Sequence, residues 1–185
     1  MTTTVFVAGS ITIKKLDPLI VERLKKIVDQ NFNIVVGDAT GVDSSVQQEL
    51  VHMGCRAATV FSSSSKPRNN LGSWPVNVVH THHAPGTRAF FTAKDIKMAE
   101  AADYGLMVWD TKSPGTLSNV IELLSRKKSS VVFINKAKEF VVIKEPKDID
   151  NLIERMSASS LHKVEEKIKL SEKISLLNNR QMALI

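Results

Sequence analysis

The sequence has little that would cross-link or anchor it. A single cysteine, Cys55, excludes an internal disulfide and a multi-cysteine zinc site. No apolar run approaches the roughly 18 residues that a membrane span needs. The opening residues MTTTVFVAGS lack the basic stretch and apolar core of a signal peptide. We therefore expect a cytoplasmic protein with no membrane partner and a reduced cysteine.

Aromatic residues are also scarce, at 5% of the chain, which leaves few side chains for stacking on the bases of a single strand. The formal net charge of +6 is unevenly distributed. Residues 1–124 carry 12 basic and 11 acidic side chains, whereas residues 125–185 carry 13 and 8. A positive excess confined to the end of a chain is typical of a solvated helical face, so we do not expect a nucleic-acid partner.

The composition is that of a globular protein, with 185 residues of which 43% are hydrophobic and 24% charged. Short apolar runs such as Val5–Ala8, Ile34–Val36 and Leu106–Trp109 predict buried strands, and amphipathic segments between them predict helices. This alternation is typical of an α/β protein with a doubly wound, mainly parallel sheet. We expect this domain to span residues 1–145 and a helical extension to span residues 146–185.

Glycine, serine and aspartate follow several of the predicted strands. Ligands of such sheets bind outside the carboxyl ends of the strands, near the point where strand order reverses. Gly9-Ser10 fits either a plain turn or a close approach of the backbone to a ligand. The loop Gly37–Asp43 joins a strand to a helix, so its free backbone N–H groups favour an anion such as phosphate. Asp38 and Asp43 suit ribose hydroxyls, although Asp43 also fits a helix cap.

A second anion-binding turn is predicted between Asp110 and Asn119. A strand ends at Asp110, a Pro-Gly turn follows Ser113, and Thr116 starts a helix. The arrangement brings backbone N–H groups and hydroxyls to one point, as phosphate requires. Two such turns in one small domain favour a nucleotide ligand.

Two further groups of side chains are candidates. Arg68 lies in a loop predicted over residues 62–73, where it fits a phosphate or base contact as well as plain solvation. Lys94 and Asp95 lie on a predicted helix. Asp95 fits either a carboxylate that faces the ligand or the third-residue acid of a capping box with Thr92.

With these residues in view, the chain resembles the SLOG superfamily, which links DNA-processing proteins of the DprA/Smf type, YpsA/YspA-like proteins and LOG cytokinin-activating phosphoribohydrolases. The resemblance rests on four segments in family order: Val7–Ser10, Gly37–Asp43, Lys94–Asp103 and Ser113–Asn119. It implies a Rossmann-like nucleotide-binding fold over residues 5 to about 135.

The resemblance leaves the activity open. Where LOG proteins carry an arginine and a glutamate, this chain has Lys94 and Asn119, and asparagine lacks the carboxylate. One hypothesis is a nucleotide-binding module whose ligand is a nucleotide or an ADP-ribose-like derivative. The alternative is a nucleoside or nucleotide N-glycosidase or deoxyribosyltransferase-like enzyme in which Asp95 and Lys94 are catalytic. A remote alternative is DNA binding of the DprA kind.

The residues expected to hold the nucleotide come from the strand ends, the two turns and the loop. They are Gly9, Ser10, Gly37, Asp38, Gly41, Asp43, Arg68, Asp110, Ser113, Gly115, Thr116 and Asn119. The three histidines near residue 80 match no zinc-ligand spacing, so we expect no metal, and no further cofactor is expected.

An apolar stripe runs along the predicted C-terminal helix. Its members are Leu161, Val164, Ile168, Leu170, Ile174 and Leu177. Such a stripe must be buried either against a second copy or against the chain's own sheet. We expect a homo-oligomer, with packing on the core as the alternative.

Overall fold

The computed structural model describes residues 2–183 of the chain. Among those residues, no helix is both long and apolar enough to cross a bilayer. The strands and helices, in chain order, are β1 (Thr4–Gly9), α1 (Pro18–Asp29), β2 (Asn33–Gly37), α2 (Val42–His52), β3 (Ala58–Ser62), β4 (Val76–Val78), α3 (Arg88–Ala101), β5 (Tyr104–Trp109), α4 (Pro114–Ser125), β6 (Ser130–Ile134), β7 (Glu139–Ile143), α5 (Asp150–Ile153), α6 (Ala158–Ile168) and α7 (Leu170–Met182), with a 3₁₀ turn (Pro146–Ile149) before α5.

The strands form a single seven-stranded sheet in the order β4-β3-β2-β1-β5-β6-β7. Neighbouring strands are parallel except β6 and β7, which pair antiparallel. Strand order reverses between β1 and β5, where Val5 lies opposite Tyr104 and Gly9 opposite Val108. The predicted α/β fold with a doubly wound, mainly parallel sheet is confirmed, and its topological switch point lies between β1 and β5.

Helices cover both faces of the sheet and enclose two apolar cores. α1 and α2 pack on one face through side chains such as Leu24 and Val46. α3, α4, α6 and α7 pack on the other face through side chains such as Met98, Val120 and Val164. β1 and β5 contribute to both cores, because successive side chains of a strand point to opposite faces.

The apolar stripe at the end of the chain is buried against the chain's own core. Val164, Ile168, Leu170 and Leu177 belong to the core that α3 and α4 also form, and Leu161 and Ile174 pack against it. The alternative of packing on the core is therefore confirmed for this stripe. Self-association of the chain stays a prediction.

The residue at which α3 begins excludes one of the two interpretations of Asp95. α3 begins at Arg88, where Thr87 Oγ1 accepts a hydrogen bond from Phe90 N at 3.2 Å. Thr92 therefore lies inside the helix and caps nothing at its start. The capping-box interpretation of Asp95 is wrong, because the cap is supplied one turn earlier.

Candidate functional site

A cleft of about 530 Å³ opens at the carboxyl edge of the sheet, beside the switch point. The first turns of α3 and α4 line it, together with the start of α2 and one residue of α6. A hollow of about 540 Å³ lies at the opposite edge of the sheet around Tyr104, so volume does not single the cleft out. The cleft is distinguished by its charged groups and by the helix N-termini that meet there.

The structure brings most of the predicted site residues to this cleft. Those that line it are Gly9, Ser10, Asp43, Arg68, Lys94, Asp95, Ser113, Gly115, Thr116 and Asn119. The remaining predicted residues are not among those that line the cleft and are Gly37, Asp38, Gly41 and Asp110.

A buried ammonium and two carboxylates form the floor of the cleft. Lys94 is only 4% exposed, and its Nζ donates a hydrogen bond to Asp95 Oδ1 at 2.7 Å. Burial alone would lower the pKa of Lys94, but the charges of Asp95 and Asp43 outweigh burial and raise it. Burial raises the pKa of Asp43 to about 6, although the charge of Lys94 opposes the rise. The cleft floor therefore holds a permanent ammonium and a carboxyl that titrates near neutral pH.

Asp43 lies on the first turn of α2 but does not cap the helix. Gly41 is the N-cap, with a φ of 79°, and Asp43 Oδ2 accepts a hydrogen bond from Ala39 N at 3.2 Å. The capping interpretation of Asp43 is therefore wrong. A Cβ on Gly37 would lie 2.3 Å from Asp43 Oδ2 and 2.7 Å from Lys94 Nζ, so the glycine leaves room for the buried charges.

The carboxyl of Asp43 gives the stability of the protein a specific pH dependence. Its folded pKa of about 6 exceeds the unfolded value of 3.8, so between these values the folded state holds a proton that the unfolded chain releases. As the pH falls from about 7.5 to about 4, the free energy of unfolding of the wild type is expected to rise by about 1–3 kcal/mol relative to that of an Asp43→Asn variant. Urea unfolding of both proteins at the two pH values measures this rise. A difference between the proteins that stays constant with pH would contradict it.

Asp38 is engaged by the loop that follows β3. Arg68 Nη2 and Arg68 N donate to its two carboxylate oxygens at 2.7 and 3.0 Å, and Ser62 Oγ donates at 2.9 Å. Burial opposes ionisation of Asp38, but these donors hold its pKa below the usual value. The carboxylate thus holds the loop and is not among the residues that line the cleft, and its contact with a ribose stays a prediction.

The loop that carries Arg68 is held firmly to the sheet. Asn69 Nδ2 donates to the backbone oxygen of Asp38 at 2.9 Å, and the buried Gln47 donates to the backbone oxygen of Asn69 at 3.2 Å. The Arg68 guanidinium lies 4.6 Å from the centroid of the Phe91 ring. These contacts place Arg68 on one wall of the cleft with 43% of its side chain still exposed to solvent, and its contact with a ligand stays a prediction.

The turn before α4 leaves the start of that helix without a side-chain cap. Asp110 accepts hydrogen bonds from Ser113 N at 2.7 Å, Ser113 Oγ at 2.8 Å and Thr12 Oγ1 at 2.7 Å. Burial raises the pKa of Asp110, but these donors lower it by more, so the pKa lies below its usual value. The Ser113 hydroxyl makes no hydrogen bond to the first N–H groups of α4, which leaves those groups without a side-chain acceptor.

Thr116 lies at the third position of α4, which begins at Pro114 rather than at Thr116 as expected from the sequence. Proline suits the first helical position because its φ is fixed near the helical value. Thr116 is 2% exposed, and its Oγ1 has no hydrogen-bond partner among the described residues. Asn119, about one turn further on, is also buried at the cleft. Buried polar atoms are normally paired, which makes the Thr116 hydroxyl a candidate contact for a ligand; Ser130 Oγ, beside the hollow at the opposite edge of the sheet, also lacks a partner among the described residues.

Two cationic residues of the cleft were missed at the sequence level. Arg88 is the first residue of α3, and Lys167 reaches the cleft from α6 in the C-terminal extension. The threonine cap at residue 87 was a local signal for Arg88, since it places the next residue at a helix start. No local signal pointed to Lys167, because only the packing of α6 beside α4 brings it to the cleft.

Metal ligation finds no support among residues 2–183, where no group of three or more histidine, cysteine, aspartate and glutamate side chains lies close enough to hold an ion. His80, His82 and His83 are exposed in the segment before α3. They are not among the residues that line the cleft.

Comparison with known proteins bears on the fold. No family model matches the sequence, and no curated protein matches it. Among solved structures, the chain is similar to DNA processing protein A from Helicobacter pylori, whose structure was described for a unique single-stranded DNA binding mode. The TM-score is 0.57 with 14% sequence identity, over 90% of this chain and 80% of that chain. At this identity the likeness shows a shared fold, a Rossmann-like arrangement of a mostly parallel sheet covered by helices.

Proposed function

We propose that the chain binds a nucleotide through a phosphate group at the first turn of α4. The observation that carries the proposal is the buried Thr116 hydroxyl, which has no partner among the described residues. Leaving such a group unpaired costs about 1–3 kcal/mol. A phosphate oxygen at the cleft would accept its hydrogen bond and offset that cost.

The backbone N–H groups in the first turn of α4 also suit a phosphate. The first turn of α4 carries no acidic residue and no side-chain cap. Its first backbone N–H groups and the positive end of its dipole therefore remain available to an anion, beside the Asp110 carboxylate that accepts from Ser113 N. Gly115 adds to this fit, because nothing lies within 4 Å of the position where its Cβ would be.

The nucleoside part would extend from α4 across the ends of β1 and β2. Gly9 and Ser10 line the cleft there, and Asp43 offers carboxylate oxygens to ribose hydroxyls. The Phe91 ring, backed by Arg68, supplies an aromatic surface for a base. Asp38 is not part of this arrangement because its oxygens are already bonded to the loop.

A Thr116→Val variant tests the phosphate contact. Calorimetry with the common nucleoside 5′-monophosphates and the matched nucleosides is expected to show at least one monophosphate binding about tenfold or more tightly than its nucleoside. Valine keeps the shape of threonine but removes the donor, so it should abolish most of that preference. The unliganded variant should be as stable as the wild type or slightly more stable, since the substitution removes an unpaired buried hydroxyl.

Thr116→Ser is the matched control for this experiment. Serine keeps the hydroxyl and loses only a methyl group, so the preference for the monophosphate should survive. Equal affinities for nucleoside and monophosphate in the wild type would show that the turn before α4 binds no phosphate.

Cleavage of an N-glycosidic bond is the second candidate, and the position of Asp95 favours it. The Asp95 side chain is 21% exposed and lines the cleft while it pairs with the buried Lys94. A carboxylate near the anomeric carbon is what an oxocarbenium-like transition state requires. Release of free base from a nucleoside monophosphate, lost in Asp95→Asn, would support an enzyme; binding without release supports the proposed module.

Binding of single-stranded DNA is a third candidate, because the structural neighbour from Helicobacter pylori binds it. The cleft carries four cationic side chains, which are Arg68, Arg88, Lys94 and Lys167. A DNA-binding cleft would show an affinity for oligonucleotides that falls steeply with salt and does not depend on a terminal phosphate. A nucleotide-binding cleft would prefer the free monophosphate.

A further inference from the structure

Two cations line the cleft beside α4 without an ionic partner. Arg88 belongs to α3 and Lys167 to α6, and both line the same cleft as Thr116. Over the described range 2–183, neither forms a salt bridge. The other two cations of the cleft, Arg68 and Lys94, each pair with an aspartate. With Asp43 ionised the cleft carries one positive charge in excess of its carboxylates, and with Asp43 protonated it carries two.

The surroundings of Arg88 lower its pKa and so disfavour its charged form. Burial lowers the pKa of Arg88, and the charge of Asp95, already bonded to Lys94, opposes the change only in part. Burial also lowers the pKa of Lys173 on α7; Glu122 opposes that lowering, and Arg88 adds to it by repulsion. The positive charges of Arg88 and Lys173 thus repel each other, and an anion bound near Arg88 would offset that repulsion.

A single phosphate at the first turn of α4 would leave Arg88 and Lys167 without an anionic partner. Such a group would already be bound by the first-turn N–H groups and the hydroxyl of Thr116. Arg88 and Lys167 come from different helices on the lining of the same cleft. An arginine fork and an ammonium together suit the oxygens of a further phosphate.

We infer that the ligand carries a diphosphate, with one phosphate on the first turn of α4 and the second held by Arg88 and Lys167. This inference rests on the proposed nucleotide-binding function and names its ligand class. The ligand is then a nucleoside diphosphate or a molecule in which a diphosphate joins the nucleoside to another group. The cleft volume of about 530 Å³ is of the size that such ligands occupy.

Inorganic phosphate and inorganic pyrophosphate are the probes, because they do not depend on the identity of the base. Calorimetry on the full chain is expected to show pyrophosphate binding about tenfold or more tightly than phosphate. An Arg88→Gln/Lys167→Gln variant should lose about tenfold or more in affinity for pyrophosphate and less than about twofold for phosphate. A Lys25→Gln/Lys26→Gln variant removes two exposed charges of α1 that pair with Asp29 and Glu22, and it should change neither affinity more than about twofold.

Each outcome separates this inference from the function on which it rests. Phosphate binding that Thr116→Val weakens, together with equal affinity for pyrophosphate, would overturn the second subsite and keep the proposed function. Equal losses in the Arg88→Gln/Lys167→Gln variant and the α1 control would also overturn it, since the effect would then reflect net charge alone. Phosphate binding that Thr116→Val leaves unchanged, or no binding of either anion, would overturn both proposals.

Discussion

A Lys94→Met variant is expected to lose about 3–5 kcal/mol of its free energy of unfolding at neutral pH. The substitution keeps most of the apolar stem but leaves the buried Asp43 and the partly buried Asp95 without their shared ammonium. Removing one charged member of a buried ion cluster is costly because the remaining charges stay desolvated and lose their partner. The loss should be smaller at about pH 5 than at pH 7.5, since a protonated Asp43 removes one of the uncompensated charges.

Urea unfolding of Lys94→Met beside Lys97→Met measures this effect. Lys97 lies on the same helix, is 55% exposed and pairs with Glu100 at 2.7 Å, so its replacement should change stability by no more than about 0.5–1 kcal/mol. Adding Asp43→Asn to Lys94→Met should restore part of the loss. Equal losses in the two single variants would mean that the buried charges contribute no more than a surface pair.

A Gly9→Ala variant is expected to lose about 3 kcal/mol or more, because the added methyl group meets backbone rather than a movable side chain. An ideal Cβ on Gly9 would lie 2.2 Å from the backbone oxygen of Val108 and 2.8 Å from Val42 Cγ2. The Val108 oxygen also accepts a hydrogen bond from Ser10 N at 2.9 Å, so it cannot move away without breaking that bond. The substitution therefore forces apart β1 and β5 at the switch point.

Gly115→Ala is the matched control for Gly9→Ala. Nothing lies within 4 Å of a Cβ on Gly115, and the residue is in the first turn of α4. Alanine there should leave stability unchanged or raise it by up to about 1 kcal/mol through its higher helix propensity. Thermal unfolding of both variants gives the comparison; a tolerated Gly9→Ala would show that the two central strands are less closely apposed than the structure has them.

Local sequence patterns were sufficient to predict most strands of the sheet. The apolar runs Val5–Ala8, Ile34–Val36 and Leu106–Trp109 all lie within strands, because a run of that length must be buried on both faces. The same patterns placed Gly9-Ser10 and the Gly37–Asp43 loop at strand ends. Strand ends of a parallel sheet share one edge, so the location of the cleft was predictable as well.

Local sequence patterns did not predict which polar side chains at the strand ends are free to contact a ligand. Asp38 and Asp43 follow the same strand, and local sequence gives no reason to treat them differently. Arg68, thirty residues further along the chain, occupies one carboxylate, whereas burial raises the pKa of the other against the opposing charge of Lys94. Hydrogen bonds between distant residues decide such outcomes, and no periodicity encodes them.

By itself, the sequence determined the alternation of strands and helices, the parallel sheet that follows from it, and the turns that end at one edge. Those features depend on contacts between near neighbours in the chain, which hydrophobic spacing, proline and glycine report directly. Only the tertiary structure decided that Thr116 lacks a partner within residues 2–183, that Arg88 and Lys167 line one cleft, and that the C-terminal stripe is buried in the core that α3 and α4 form. Burial and pairing are set by which elements pack together, so they become visible only when the chain is folded.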